Sequence, residues 1–245
     1  MTKNIKLYVE KDYDALSKRA ALIFAKQVNA APLAAFGFAT GGTPVGMYEE
    51  LKKMRARNEI YLDQITAFNL DEYYPIENTN TQSYAYFMAE NLFDEVNLPK
   101  EKRNIPNGDS SNPTAECVAY DEKINRCGGI EMQILGLGTN GHIGFNEPAE
   151  FFSGATVHVE LAESTIQSNA RFFDDEKDVP RHAITMGIRT ILMAKRILLL
   201  VSGEAKADIL RDALIGPITP NVPASALQLH RDVIVIADEA AAKHL

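Results

Sequence analysis

Met132-Gln133-Ile134-Leu135-Gly136-Leu137, followed by Gly138-Thr139-Asn140-Gly141-His142-Ile143-Gly144-Phe145-Asn146-Glu147-Pro148, joins an unbroken apolar run to a glycine-dense polar loop. An apolar run without alternation suits a strand covered on both faces. The same pattern recurs on either side of it. Leu33 to Ala39 leads into Thr40-Gly41-Gly42-Thr43-Pro44, Ile65 to Leu70 into Asp71-Glu72-Tyr73, and Ile197 to Val201 into Ser202-Gly203-Glu204-Ala205-Lys206. Ile5 to Val9 and Val233 to Ala237 read as further strands. Between them lie stretches at helical spacing, such as Leu16, Ala20, Ile23 and Gln27 or Val28, and Pro44 opens another helix. Strands alternating with amphipathic helices make βα units that feed a largely parallel sheet. In an open parallel sheet ligands bind beyond the carboxyl ends of the strands, so the four polar clusters converge on one edge.

Composition narrows what that edge can serve. The chain has 245 residues, 46% hydrophobic and 24% charged, the make-up of an ordinary globular protein, and is read as a single domain over 1–245. No apolar run approaches the roughly 20 residues needed to cross a bilayer. The N-terminus alternates charged and apolar residues too quickly for a signal peptide, so a cytoplasmic location is expected. A net charge of −8 argues against a nucleic-acid partner, yet leaves room for a locally positive pocket and a small anionic substrate. Cys117 and Cys127 are the only cysteines and read as two reduced thiols on or near a helix.

Each cluster has an ordinary reading beside a chemical one. Thr40 to Thr43 is either a plain turn or an anion loop, since glycines admit close approach and a helix N-terminus attracts phosphate. It lacks the lysine of a Walker loop. Asp71 and Glu72 are either solvated acids or, because the preceding residues are apolar, carboxyls at the mouth of the core; Asp71 could then move a proton next to a carbonyl. His142 has a polar residue two positions before it and a carboxylate five after it. An imidazole so placed can exchange protons near neutral pH. The other histidines lack ligand spacing with it, and no metal is expected. Lys206 falls in the first turn of a helix after a strand, within reach of a phosphate; Arg171 has no comparable argument of its own.

Taken together, ATGGTP, FNLDEY, GLGTNGHIGFNEP, LAESTIQSNARFF, VPRHAITMG and SGEAKA resemble, in order and spacing, the glucosamine-6-phosphate deaminase family over nearly the whole chain. Related 6-phosphogluconolactonases share the fold and a GHT-type loop but not the FNEP continuation. The resemblance implies a doubly wound, Rossmann-like α/β fold with helices on both faces, and a deaminating aldose–ketose isomerase turning glucosamine 6-phosphate and water into fructose 6-phosphate and ammonia. By the same resemblance His142 assists ring opening, Asn140 and Glu147 orient it, and Asp71 carries a proton from carbon 2 to carbon 1. Thr40, Gly41, Gly42, Thr43, Gly138, Arg171 and Lys206 match substrate-binding positions, and no cofactor is required.

Two departures set further expectations. Position 140 is Asn where many members carry Asp; its carbonyl could still hold the imidazole but adds no charge, so altered pH dependence is expected. Glu150, Val157 and Val159 stand where allosterically activated members carry serines and basic residues, and the chain stops soon after DEAAA. No activation by N-acetylglucosamine 6-phosphate is expected, and the chain should act as a monomer or small oligomer. A segment of about 150–185 is the expected lid. The competing readings are a galactosamine 6-phosphate deaminase, a lactonase, and a sugar-phosphate-binding regulator without chemistry.

Overall fold

In the computed structural model, which describes residues 4–170, 173 and 175–245, the expected strands form within a residue or two of their sequence bounds. The first half runs β1 (Ile5–Glu10), α1 (Tyr13–Ala30), β2 (Ala35–Phe38), α2 (Gly42–Ala56), β3 (Thr66–Asn69) and β4 (Asp71–Tyr74). It continues through α3 (Tyr84–Met88), β5 (Arg103–Asn104), α4 (Pro113–Arg126) and β6 (Ile130–Gly136). The second half holds β7 (Val157–Glu160), α5 (Glu163–Asn169), β8 (His182–Thr185), α6 (Ile188–Leu192) and β9 (Arg196–Val201). It closes with α7 (Ala207–Ile215), β10 (Val233–Asp238) and α8 (Glu239–Ala242).

Among the described residues, seven strands make one parallel sheet in the order β1-β10-β9-β6-β2-β3-β5. The chain moves outward through α1 and α2, which pack on each other, then returns through α4 and α7. Right-handed crossovers in opposite directions put those pairs on opposite faces, which is the doubly wound, Rossmann-like arrangement. Burial explains the unbroken apolar runs: every residue of β2 and of β10 is buried. On one face Phe24 of α1 meets Phe36 and Phe38 edge-on at centroid distances of 5.2 and 5.6 Å. Burying each such ring contributes roughly 1.5–3 kcal/mol.

The sequence reading ends a strand at Leu70 with two acids at its tip; the structure corrects this. β3 stops at Asn69, and Asp71 begins a new strand in a second, antiparallel sheet of order β4-β8-β7. Leu70 is the joint: its N–H donates to Phe38 of the parallel sheet at 3.0 Å, and its carbonyl accepts from Met186 after β8 at 2.8 Å. β7 and β8 also occupy both ends of the segment expected as a lid, where antiparallel pairing holds them. A smaller core of Tyr73, Ile76, Phe145, Leu161, Ile166, Val179 and Ala183 lies between this sheet and α5. Cys117 is buried in α4 and Cys127 is exposed at its end, both as free thiols.

Candidate active site

The strand order reverses between β2 and β6, which are neighbours, and a doubly wound sheet opens its binding crevice at that switch point. A cleft of about 420 Å³ lies there. Its walls are Thr40 to Pro44 after β2, Gly136 to Thr139, His142, Gly144 and Phe145 at and beyond the end of β6, Asp71 at the start of β4, Tyr84, Thr165, Asn169 and Lys206. A larger hollow of about 590 Å³ beside Pro75, Glu77, Asp109 and Asp178 has no cation among its described lining residues, so size alone does not mark the chemistry.

Gly41 caps α2, and the first turn of that helix presents backbone N–H groups without intrahelical partners to the cleft. Tyr13 braces the turn from behind. Its hydroxyl lies 3.0 Å from the carbonyls of both Gly42 and Thr43, which share its single proton, and it accepts the N–H of Gly46 at 2.8 Å. Lys206, half-buried, follows a turn in which Ser202 and the Gly203 N–H both donate to Asp238 at the end of β10. The loops after β2 and β9 thus face one cleft, the first with backbone N–H groups and the second with the Lys206 cation. Arg171 lies outside the described residues.

The loop after β6 is folded around the imidazole. The Gly138 N–H donates to the carbonyl of His142 at 2.9 Å, and the Gly141 N–H returns to the carbonyl of Gly138 at 3.1 Å. A methyl group at Gly138 would stand 2.3 Å from His142 Nε2, so only a bare backbone lets the ring lie there. His142 Nδ1 is 3.3 Å from Glu147 Oε2, within ion-pair reach but without the geometry of a formed hydrogen bond. Glu147 in turn accepts the Asn140 amide at 2.6 Å and the Thr165 hydroxyl in a short contact. Burial raises the Glu147 pKa, but His142, Thr165 and Asn140 outweigh it and hold the carboxyl down at about 2.

Asn140 does not hold the imidazole, contrary to expectation. Its carbonyl oxygen accepts the backbone N–H of His142 at 3.2 Å while its amide goes to Glu147. An aspartate could make the first bond and not the second, because a carboxylate donates nothing. Asn140 therefore positions both neighbours as a neutral two-way linker.

Asp71 lines the same cleft from the start of β4, 5% exposed. Burial pushes its carboxyl up to about 8, and the charge of adjacent Glu72 adds to the rise. Gly144, at φ +59°, passes beside it: a methyl there would lie 2.9 Å from Thr185 Oγ1 and 3.4 Å from Asp71 Oδ2. Thr185, opposite Asp71 in β8, accepts the Phe145 N–H at 3.1 Å and so ties the acid's sheet to the histidine loop. Two carboxyls pushed in opposite directions have different roles available to them. Glu147 stays charged, and Asp71 can exchange a proton near neutral pH. The sequence reading missed Tyr84, Thr165 and Asn169; Thr165 and Asn169 lie in the stretch LAESTIQSNA, but nothing local distinguishes those hydroxyl and amide groups from helix-surface ones.

A doubly wound α/β sheet with a glycine loop, a lysine, a histidine and a buried carboxyl gathered at its switch point has the layout of an enzyme acting on a small molecule. The profile of the glucosamine-6-phosphate isomerase/6-phosphogluconolactonase family matches residues 11–236. A glucosamine-6-phosphate deaminase of Clostridioides difficile (strain 630) is 51% identical over 241 residues, covering 98% of this chain and 97% of that protein. One from Alkaliphilus oremlandii (strain OhILAs) is 52% identical over 239 residues, covering 98% and 99%. The solved structure of a monomeric glucosamine-6-phosphate deaminase superposes with a TM-score of 0.95 at 42% identity, covering 98% of this chain and all of that one. A 6-phosphogluconolactonase of Thermotoga maritima shares the fold, at a TM-score of 0.74 and 18% identity. The chain belongs to the glucosamine-6-phosphate isomerase/6-phosphogluconolactonase family.

Proposed function

We propose that the chain is a glucosamine-6-phosphate deaminase, releasing fructose 6-phosphate and ammonia from glucosamine 6-phosphate and water. The observation that carries this is Asp71, buried and pushed up to about 8, in one cleft with His142, whose neighbour Glu147 is held charged. A regulator needs the anion edge alone; this cleft also holds a proton-transfer set.

His142 takes the proton of the carbon 1 hydroxyl and returns one to the ring oxygen, which opens the pyranose; Glu147 holds the imidazole and balances its charge while it carries that proton. Asp71, as carboxylate, removes the proton from carbon 2 while one ammonium proton passes to the carbon 1 oxygen, and then delivers its proton to carbon 1, leaving a protonated imine at carbon 2. Water adds there and ammonia leaves, so each proton taken by the protein is returned. The substrate's ammonium next to carbon 2 favours the ionised form of Asp71 on binding. The first turn of α2 and Lys206 hold the phosphate.

Thr165 and Asn169 of α5 line the cleft, which supports a covering role for the segment of about 150–185. The monomeric relative supports action as a monomer. No helix among the described residues is long and apolar enough to cross a membrane, which agrees with a cytoplasmic enzyme. The test is ammonia and fructose 6-phosphate release from glucosamine 6-phosphate, with Asp71→Asn beside the intact chain. Equal amounts of both products, lost in the variant, are expected. Release from galactosamine 6-phosphate or a lactone substrate alone would overturn the assignment.

A further inference from the structure

Glu72 is fully buried, yet it faces away from the cleft that Asp71 lines. Its Oε1 accepts the N–H of Tyr73 at 2.9 Å and of Tyr84 at 2.8 Å, and its Oε2 accepts the N–H of Ala85 at 2.9 Å. Tyr84 and Ala85 begin α3, a helix that already has its own cap: Ser83 Oγ accepts the Tyr86 N–H at 3.0 Å. A buried carboxylate costs far more than a neutral cap, so folding of α3 alone gives no reason for a second, charged anchor reaching 12 residues across from β4. The anchored residue is Tyr84, whose ring stacks on Phe145 at 6.0 Å and 7°, meets Tyr73 at 4.8 Å, and forms part of the cleft wall. Phe145 belongs to the loop that carries His142 and Glu147.

We propose that Glu72 is a positioning residue for the proton transfer, a carboxylate clamp that locks the strand of Asp71 to the helix of Tyr84 and so sets the acid against the histidine loop. The inference rests on Asp71 being the proton carrier. Glu72 acts in two ways, mechanically through α3 and electrostatically through its charge beside Asp71. The other groups around Asp71 are Tyr73 on β4, Tyr84 on α3 and Tyr120 on α4, the uncharged Thr185 on β8, and His142 and Lys206 in the cleft. None of these is a carboxyl group, so Glu72 is the neighbouring charge that adds to what burial does against the Asp71 carboxylate, while burial lifts Glu72 itself to about 7 against the pull of its three N–H donors. Removing its charge makes Asp71 a carboxylate at lower pH.

The test compares Glu72→Gln, Ser83→Ala and the intact chain in kcat and kcat/KM for ammonia release from pH 5 to 9. In Glu72→Gln the acidic limb of kcat/KM moves down by about one pH unit, and plateau kcat falls about tenfold as Tyr84 loosens, with KM changing less. Ser83→Ala, which removes only the helix's own cap, lowers the Tm and leaves the limb in place. An unmoved limb in Glu72→Gln, or an equal shift in Ser83→Ala, overturns the clamp. Should Glu72→Gln fail to fold, carboxyl carbon NMR of the intact chain, assigned with Asp71→Asn, decides the matter. Asp71 titrating in two coupled steps supports the clamp, and one ordinary step refutes it. Ammonia release surviving in Asp71→Asn would instead sink the functional reading, whatever Glu72 does.

Discussion

Gly138→Ala isolates the placement of one ring. The φ of Gly138 is not in the left-handed region, so alanine fits the backbone. The new methyl would nonetheless lie 2.3, 2.4 and 2.5 Å from His142 Nε2, Cδ2 and Cε1, against 3.4–4 Å for an ordinary contact. The ring must therefore retreat by about 1 Å, the gap between 2.3 and 3.4 Å, and its 3.3 Å contact with Glu147 cannot survive unchanged. Because a side chain moves and not the backbone, stability should fall by less than about 1 kcal/mol. Activity is more sensitive: a misplacement of about 1 Å costs on the order of 10²-fold, or about 2.7 kcal/mol in the barrier. The assay is initial-rate formation of fructose 6-phosphate, read as kcat and KM, with thermal melting alongside. A folded Gly138→Ala variant whose kcat stays within about threefold of the intact chain would refute the packing argument.

Burial of Asp71 predicts a pH-dependent stability. Its native pKa of about 8 lies above the unfolded value of about 3.9, so between them the native state keeps a proton that the unfolded chain has released. Stability then falls as pH climbs from about 4 towards 8, and Asp71→Asn raises the Tm at pH 8 while leaving it nearly unchanged at pH 4; equal melting curves at pH 8 contradict this. Glu147 acts in the opposite sense, its contribution present above its unfolded value and lost as pH drops towards about 2. Thr165→Val deletes the hydroxyl that holds Glu147 in a side chain of the same shape, and kcat should fall about tenfold, roughly 1.4 kcal/mol, with KM little altered; an unchanged kcat removes Thr165 from the positioning set. Exposed Cys127 should react at once with a thiol reagent, while Cys117, buried and pushed up to about 11, reacts only on unfolding. Two fast thiols would contradict the burial of α4. N-acetylglucosamine 6-phosphate should leave the substrate saturation curve unmoved, and a rise in affinity would point to an effector site despite Glu150, Val157 and Val159.

The parallel sheet was legible because its strands are covered on both faces and write their burial as unbroken apolar runs, Ile197 to Val201 being the plainest. The meeting of the polar loops at one cleft was legible too, since each follows a buried strand of the same sheet. The second sheet was not. His182 to Thr185 and Val157 to Glu160 are only four residues each, the second half-exposed, and a single residue lies between β3 and β4, so that no turn signal separates Asn69 from Asp71. Asn140 shows the finer limit. Its presence in the site could be inferred from spacing, but whether its amide served the imidazole or Glu147 depended on loop geometry set by Gly138 and Gly141, which residue types alone do not specify.

The single-residue joint at Leu70 bears on how such a fold can diversify. With its N–H committed to one sheet and its carbonyl to the other, the connection has no slack, and an inserted or deleted residue there would rotate Asp71 to the wrong side of its strand. The strand-to-helix connection between Tyr74 and Tyr84, held at both ends, is exposed from Glu77 to Thr81, where added length meets only solvent. Added length thus has room in the exposed loops, while the place of Asp71 stays anchored by a seam that tolerates substitution but not a change of length.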